Sequence, residues 1–119
     1  MMIYLGGFFI IALLFVMVSR RASHASELPS LKVLSTPSCP ACIQMYRILD
    51  ELDSNYSGKV TTEKVNLLEN RDIAKEFNVR YVPHLLFVDK DGKIFKEEVG
   101  YVPLDKVLAT FKDAGINLE

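Results

Sequence analysis

Tryptophan is absent from these 119 residues, and there are only two cysteines and two histidines. Two thiols fill only half of a tetrahedral zinc shell, so an all-cysteine metal site is excluded. A charge excess of either sign is missing as well: 14 Lys and Arg against 15 Asp and Glu leave −1. So weak a field gives nucleic-acid binding no electrostatic support. No internal repeat or low-complexity tract appears, and the length supports one small globular domain.

Charge is also missing locally. Met1 to Val18 holds 16 apolar residues and two glycines, and all 29 charged residues lie beyond it. As a helix this run rises roughly 27 Å, just short of a ~30 Å hydrocarbon core. Tyr4 and the arginines at 20 and 21 can sit at the interfaces and make up the difference. A cleaved secretory signal normally has Lys or Arg before a shorter apolar core, and neither is found here. Ser23-His24-Ala25 does look like a cleavage site, but two arginines separate it from the run. A buried helix of a soluble domain would need a polar face, which this segment lacks. The run is therefore read as a single transmembrane anchor over 1–18, ahead of a cleaved signal or a core helix. Residues 19–30, with four serines and a proline, read as a linker. The arginines after the run favour a cytoplasmic domain by the positive-inside rule.

From Leu31 the pattern changes to short alternating elements, a domain over 31–119. Leu31 to Ser35 reads as a buried strand. Cys39 to Tyr56 reads as a helix, because Cys42, Met45, Tyr46, Leu49, Leu52 and Tyr56 recur at three and four. Val60 to Leu67 is β-branched and alternating, hence a second strand. Asn70 is placed to cap a short helix from Arg71 to Phe77, with Ile73 and Phe77 inward. Leu85 to Val88 and Ile94 to Val99 read as strands joined by the turn Asp89-Lys90-Asp91-Gly92. Pro103 opens a last helix that buries Leu104, Val107, Leu108 and Phe111, and Gly115 stops it. The order β-α-β-α-β-β-α predicts an α/β fold: a four-stranded mixed sheet with helices on both faces.

Cys39-Pro40-Ala41-Cys42 lies where the first strand hands over to the first helix. Thiol–disulfide exchange needs a thiolate, and a helix N-terminus favours negative charge through its unpaired N–H groups. Lowering a thiol pKa from ~8.5 to ~7 takes about 2 kcal/mol, within reach of such a site. A three-residue offset sets Cys42 beside Cys39 to resolve a mixed disulfide. The Thr36-Pro37-Ser38 turn presents Cys39 at its tip, and Pro40 suits the first helical turn. A purely structural bridge closing four residues would add only roughly 2 kcal/mol. A metal site could draw a third ligand from His24 or His84, but not a fourth. A C-x-x-C beside a β-α-β pattern is read as a redox pair.

With these pieces in place the sequence resembles the thioredoxin-like superfamily. The matching stretches are Leu31 to Ser35 with Cys39-Pro40-Ala41-Cys42, then Lys64-Val65-Asn66. Val79 to Phe87, Asp91-Gly92-Lys93 and Val99-Gly100 complete the match. The resemblance implies that Cys39 is the nucleophile and Cys42 the resolving thiol. It implies that Pro83 is a cis-proline facing the disulfide, and that the backbone of Val82 pairs with an extended substrate. Pro40 and Ala41 would tune the thiol from between the cysteines. His84, where many relatives have threonine, would do so as an imidazolium, unless it is a solvated loop residue. Some features of the family are missing. Ser38 stands where typical thioredoxins have tryptophan, and Val33 where they have a buried aspartate. Lys64 thereby loses its usual partner, and proton transfer at Cys42 has no named carrier. The strand–helix pair that precedes the motif in full-length thioredoxins is also missing.

The sequence thus predicts a membrane-anchored thiol–disulfide oxidoreductase that needs no organic cofactor. Its expected partners are protein disulfides or dithiols, and a membrane-bound or thioredoxin-reductase-type electron donor. Lipid is met through the N-terminal helix, and a monomer is expected. The alternatives are a copper or zinc carrier using Cys39, Cys42 and His84, or a redox-inert module that binds extended peptides. Anchored relatives usually work on the outer face, and the domain is placed there against the pull of the arginines.

Overall fold

The computed structural model describes residues 28–118, so the expected anchor over 1–18 lies outside the described residues. Seven elements follow in order: β1 (Ser30–Ser35), α1 (Pro40–Asn55), β2 (Thr61–Asn66), α2 (Arg71–Glu76), β3 (His84–Val88), β4 (Ile94–Val99) and α3 (Leu104–Asp113). The strands form one mixed sheet in the order β2-β1-β3-β4. β1 runs parallel to β2 and antiparallel to β3, and β3 runs antiparallel to β4. This is the four-stranded architecture that the periodicities predict. Ser30, assigned to the linker, is the first residue of β1 and pairs with Thr61. Among the described residues no helix is long and apolar enough to cross a membrane.

Alternation along the two central strands divides the core. Leu31 and Val33 of β1, with Leu85 and Phe87 of β3, face Met45, Leu49 and Leu52 of α1 and Val107 and Phe111 of α3. Phe111 meets the ring of Phe87 edge-on at 5.3 Å and that of Phe95 at 5.8 Å, within the range where aromatic pairs attract. The opposite face carries Leu34, Val65, Leu86 and Val88, covered by Ile73 and Phe77.

Three local expectations change in the structure. Asn70 is the N-cap residue of α2, but its side-chain oxygen accepts no helix N–H; its amide donates to the Asn66 carbonyl at 2.9 Å, in a turn where Asn66 Oδ1 accepts from the Leu68 N–H. On α1, Ile48 joins the buried stripe, whereas Tyr46 and Tyr56 are only half-buried. On α3, Val107 and Phe111 are buried and Leu104 and Leu108 only partly so. Gly115 ends α3 as expected. Its φ of +82° lets its N–H reach the Lys112 carbonyl and the Ile116 N–H reach that of Phe111, the paired bonds of a Schellman stop.

Candidate active site

β1 delivers the chain to the start of α1 through Thr36-Pro37-Ser38, and Cys39 is the N-cap. Its backbone is extended (φ −102°, ψ 110°) while its carbonyl already accepts the first helical bond, from the Ile43 N–H at 3.2 Å. A serine or aspartate oxygen would usually serve the next free N–H. Here sulfur does: Cys39 Sγ accepts from the Cys42 N–H at 3.1 Å. Pro40 follows at the position where its missing N–H leaves nothing unpaired. Cys39 and Cys42 are joined as a disulfide with their Cα atoms 5.2 Å apart.

The two sulfurs have different surroundings. Cys39 keeps 9% of its surface and Cys42 none, so a partner can reach only the first. The predicted turn therefore presents Cys39 less openly than a protruding tip would.

The segment before β3 closes the site. Val82–Pro83 is a cis peptide bond, as the resemblance implies, and Pro83 is fully buried. The Val82 carbonyl lies 3.8 Å from Cys39 Sγ. In the disulfide that sulfur carries no proton, so this is a contact; a reduced thiol there could donate. The Gly100 N–H donates to the Pro83 carbonyl at 2.8 Å and brings the chain after β4 to the same place. Gly100 has φ +96°, a conformation that side-chain-bearing residues rarely adopt. Three large exposed side chains flank these segments: Ile43 directly after Cys42, Tyr81 before Val82, and Tyr101 after Gly100. None of the three stands out in the sequence, because exposure depends on contacts between distant segments.

The structure thus brings together Cys39, Pro40, Ala41, Cys42, Val82 and Pro83. It turns His84 away. As the first residue of β3, His84 is on the Leu86 and Val88 side of the pleat, opposite α1, and it is buried rather than solvated in a loop. Its Nε2 lies 2.9 Å from Glu97 Oε1. A charge held against a carboxylate at that distance is largely compensated, so the expected influence of an imidazolium on Cys39 has no direct route. The same placement separates it from the cysteine pair as a metal ligand. Among the described residues no group of three His, Cys, Asp or Glu side chains could hold a metal ion.

Val33, at the position of the family aspartate, is fully buried and apolar. Lys64, its neighbour in the β1–β2 register, reaches instead over the ring of Tyr46, 4.7 Å from the centroid. The Tyr46 hydroxyl is in a close hydrogen bond with Ser35 Oγ. The sequence does not reveal that trio, because Tyr46 reads as part of the apolar stripe. The signals in the sequence are its offset of four from Cys42 and the serine that directly follows Val33 and Leu34. A hollow of about 470 Å³ between β4 and α3, lined by Phe95, Lys106 and Thr110 among others, includes none of the predicted site residues.

Comparison with known proteins agrees with this geometry. A family model described as "Thioredoxin-like domain" matches residues 19–115, which leaves the apolar run outside it. The chain is 36% identical over 91 residues to thioredoxin C-2 of Corynebacterium nephridii, covering 76% of this chain and 82% of that one. It is 35% identical over 78 residues to a thioredoxin of Haemophilus influenzae, covering 66% and 72%. In fold it is similar to a thioredoxin-like protein of Clostridium perfringens, with a TM-score of 0.67 at 24% identity, covering 76% of this chain and 74% of that one.

Proposed function

Because the chain belongs to the thioredoxin-like family and is a protein-disulfide oxidoreductase of that family, we propose that it exchanges a disulfide with extended segments of partner proteins while tethered to a membrane through residues 1–18. The unequal exposure of the two sulfurs carries the reading: 9% at Cys39 and none at Cys42. As a thiolate, Cys39 attacks one sulfur of a partner disulfide, and the bond between the partner sulfurs breaks with its electron pair on the leaving one. Cys42 then loses its proton and attacks Cys39 Sγ. The Cys39–partner bond breaks, the partner leaves as a dithiol once protonated, and the Cys39–Cys42 disulfide remains. A dithiol donor restores the pair by the same steps in reverse; a membrane-bound or thioredoxin-reductase-type protein would serve.

The residues around the sulfurs have matching tasks. The Cys42 N–H at 3.1 Å from Cys39 Sγ and the start of α1 both favour negative charge on that sulfur. Pro40 and Ala41 hold the first turn without adding bulk or a competing donor. Among the described residues the Val82 N–H has no backbone partner, which leaves it open to pair with a partner strand beside Pro83. Ile43, Tyr81 and Tyr101 offer that strand apolar contact.

The tether rests on the uncharged apolar run; it raises the effective concentration of the domain near other membrane proteins. The domain is read as facing outward. Exchange is tested with Cys39→Ser, which should lower disulfide reductase activity to background. Cys42→Ser should instead accumulate covalent partner adducts that a reductant releases. Activity surviving in Cys39→Ser would defeat the assignment. Membrane-impermeant maleimide should label reduced Cys39 in intact cells, and labelling only after lysis would reverse the orientation.

A further inference from the structure

Closing the disulfide requires Cys42 to lose a proton, yet its side chain has no exposed surface. A proton leaving a fully buried thiol needs a polar group to receive it. Among the described residues only two polar side chains are classed as buried, Ser35 and His84. His84 is on the other side of the sheet, paired with Glu97. Ser35 is on the right side: it continues the alternation of Leu31 and Val33, which face α1.

Its partner comes from α1 itself. Tyr46 is four residues after Cys42, hence on the same face one turn along. Helical side chains lean toward the N-terminus, so Tyr46 leans back toward the turn that carries Cys42. The hydroxyl ends on Ser35 Oγ, which is also 3.5 Å from the Val65 carbonyl. From β2, Lys64 places its ammonium 4.7 Å from the ring centroid. A cation over the ring face is attracted to it and holds the ring in place. The polar contacts at the cysteine pair itself are the Val82 carbonyl, 3.8 Å from Cys39 Sγ, and the Cys42 N–H on the same sulfur.

We propose that Ser35 and Tyr46, held by Lys64, form the proton relay of Cys42. This rests on the exchange reaction proposed above. As Cys42 attacks, its S–H proton passes to Ser35 Oγ. The Ser35 proton passes to the Tyr46 hydroxyl, and the half-buried phenol releases its own to water. Each hydroxyl ends neutral and one proton reaches the solvent. When Cys42 becomes a thiol again, the sequence runs backward.

Tyr46→Phe keeps the ring and its contact with Lys64 while deleting the hydroxyl; Ser35→Ala removes the other hydroxyl. The test is single-turnover kinetics with a small peptide disulfide, following the mixed disulfide from about pH 5 to about pH 9, a range spanning an ordinary thiol pKa. In Tyr46→Phe the closing step should slow by about tenfold or more near neutral pH. The deficit should shrink as hydroxide takes over in alkali. Attack by Cys39 should stay within about twofold of wild type, and Ser35→Ala should show the same pattern. The double variant should lose no more than either single one, as expected for two members of one chain. A closing step with an unchanged rate and pH profile in both variants would overturn the relay. So would an equal, pH-independent slowing of both steps, which a structural role alone would produce. Either result leaves the exchange reaction standing, since only activity in Cys39→Ser removes that.

Discussion

The two faces of the sheet are built to different standards. Among the described residues, the face under α1 and α3 packs 13 buried apolar residues and three mutually contacting phenylalanines. The face under α2 has five, and α2, only six residues long, buries none of its side chains fully. The redox pair sits at the start of α1, on the well-packed face. Exchange requires two sulfurs to be presented at a fixed separation through repeated bond making and breaking. A helix anchored by Met45, Ile48, Leu49 and Leu52 supplies that rigidity. The thin face holds what the reaction does not use directly, including the His84–Glu97 pair.

That contrast can be broken by substitution. Phe111→Ala should have the largest effect on stability, removing a fully buried ring from the aromatic cluster; denaturant unfolding should show a loss of about 3–5 kcal/mol. Phe77→Ala, on the thin face and only half-buried, should cost about 1–2 kcal/mol, since less apolar area returns to water. Equal losses for the two would mean that the faces contribute alike. The smallest effect is expected from His84→Gln. The alkylation rate of reduced Cys39 at neutral pH should change by less than about twofold, because a compensated charge acts weakly across the sheet. A tenfold change would bring His84 back into the site as a tuning group.

Much of the order of elements can be read from apolar spacing and turn residues. β4 has the predicted bounds, and the other elements agree within a few residues. The cysteine pair was equally legible, since a C-x-x-C at a strand-to-helix junction depends only on local order. What escaped the sequence depends on partners far along the chain. His84 meets Glu97 13 residues later, and Tyr46 meets Ser35 11 residues earlier. No periodicity reports such pairs. Asn70 takes the N-cap position, but its side chain is turned back to the Asn66 carbonyl and serves no helix N–H, an orientation that composition alone does not reveal. Lys64 illustrates the same limit: an exposed lysine in an edge strand reads as solvated until the ring beneath it is seen.

The sulfur at the mouth of α1 has two occupations at once. In the bridged pair its lone pairs already satisfy the Cys42 N–H, and a thiolate or a sulfur bonded to a partner retains lone pairs with which to do so. The helix can therefore keep its first turn through a whole catalytic round, with no refolding between one partner and the next. Serine is the apt inert replacement at this position for the same reason, since its oxygen is a favoured cap, whereas alanine would remove the reagent and the fastening together.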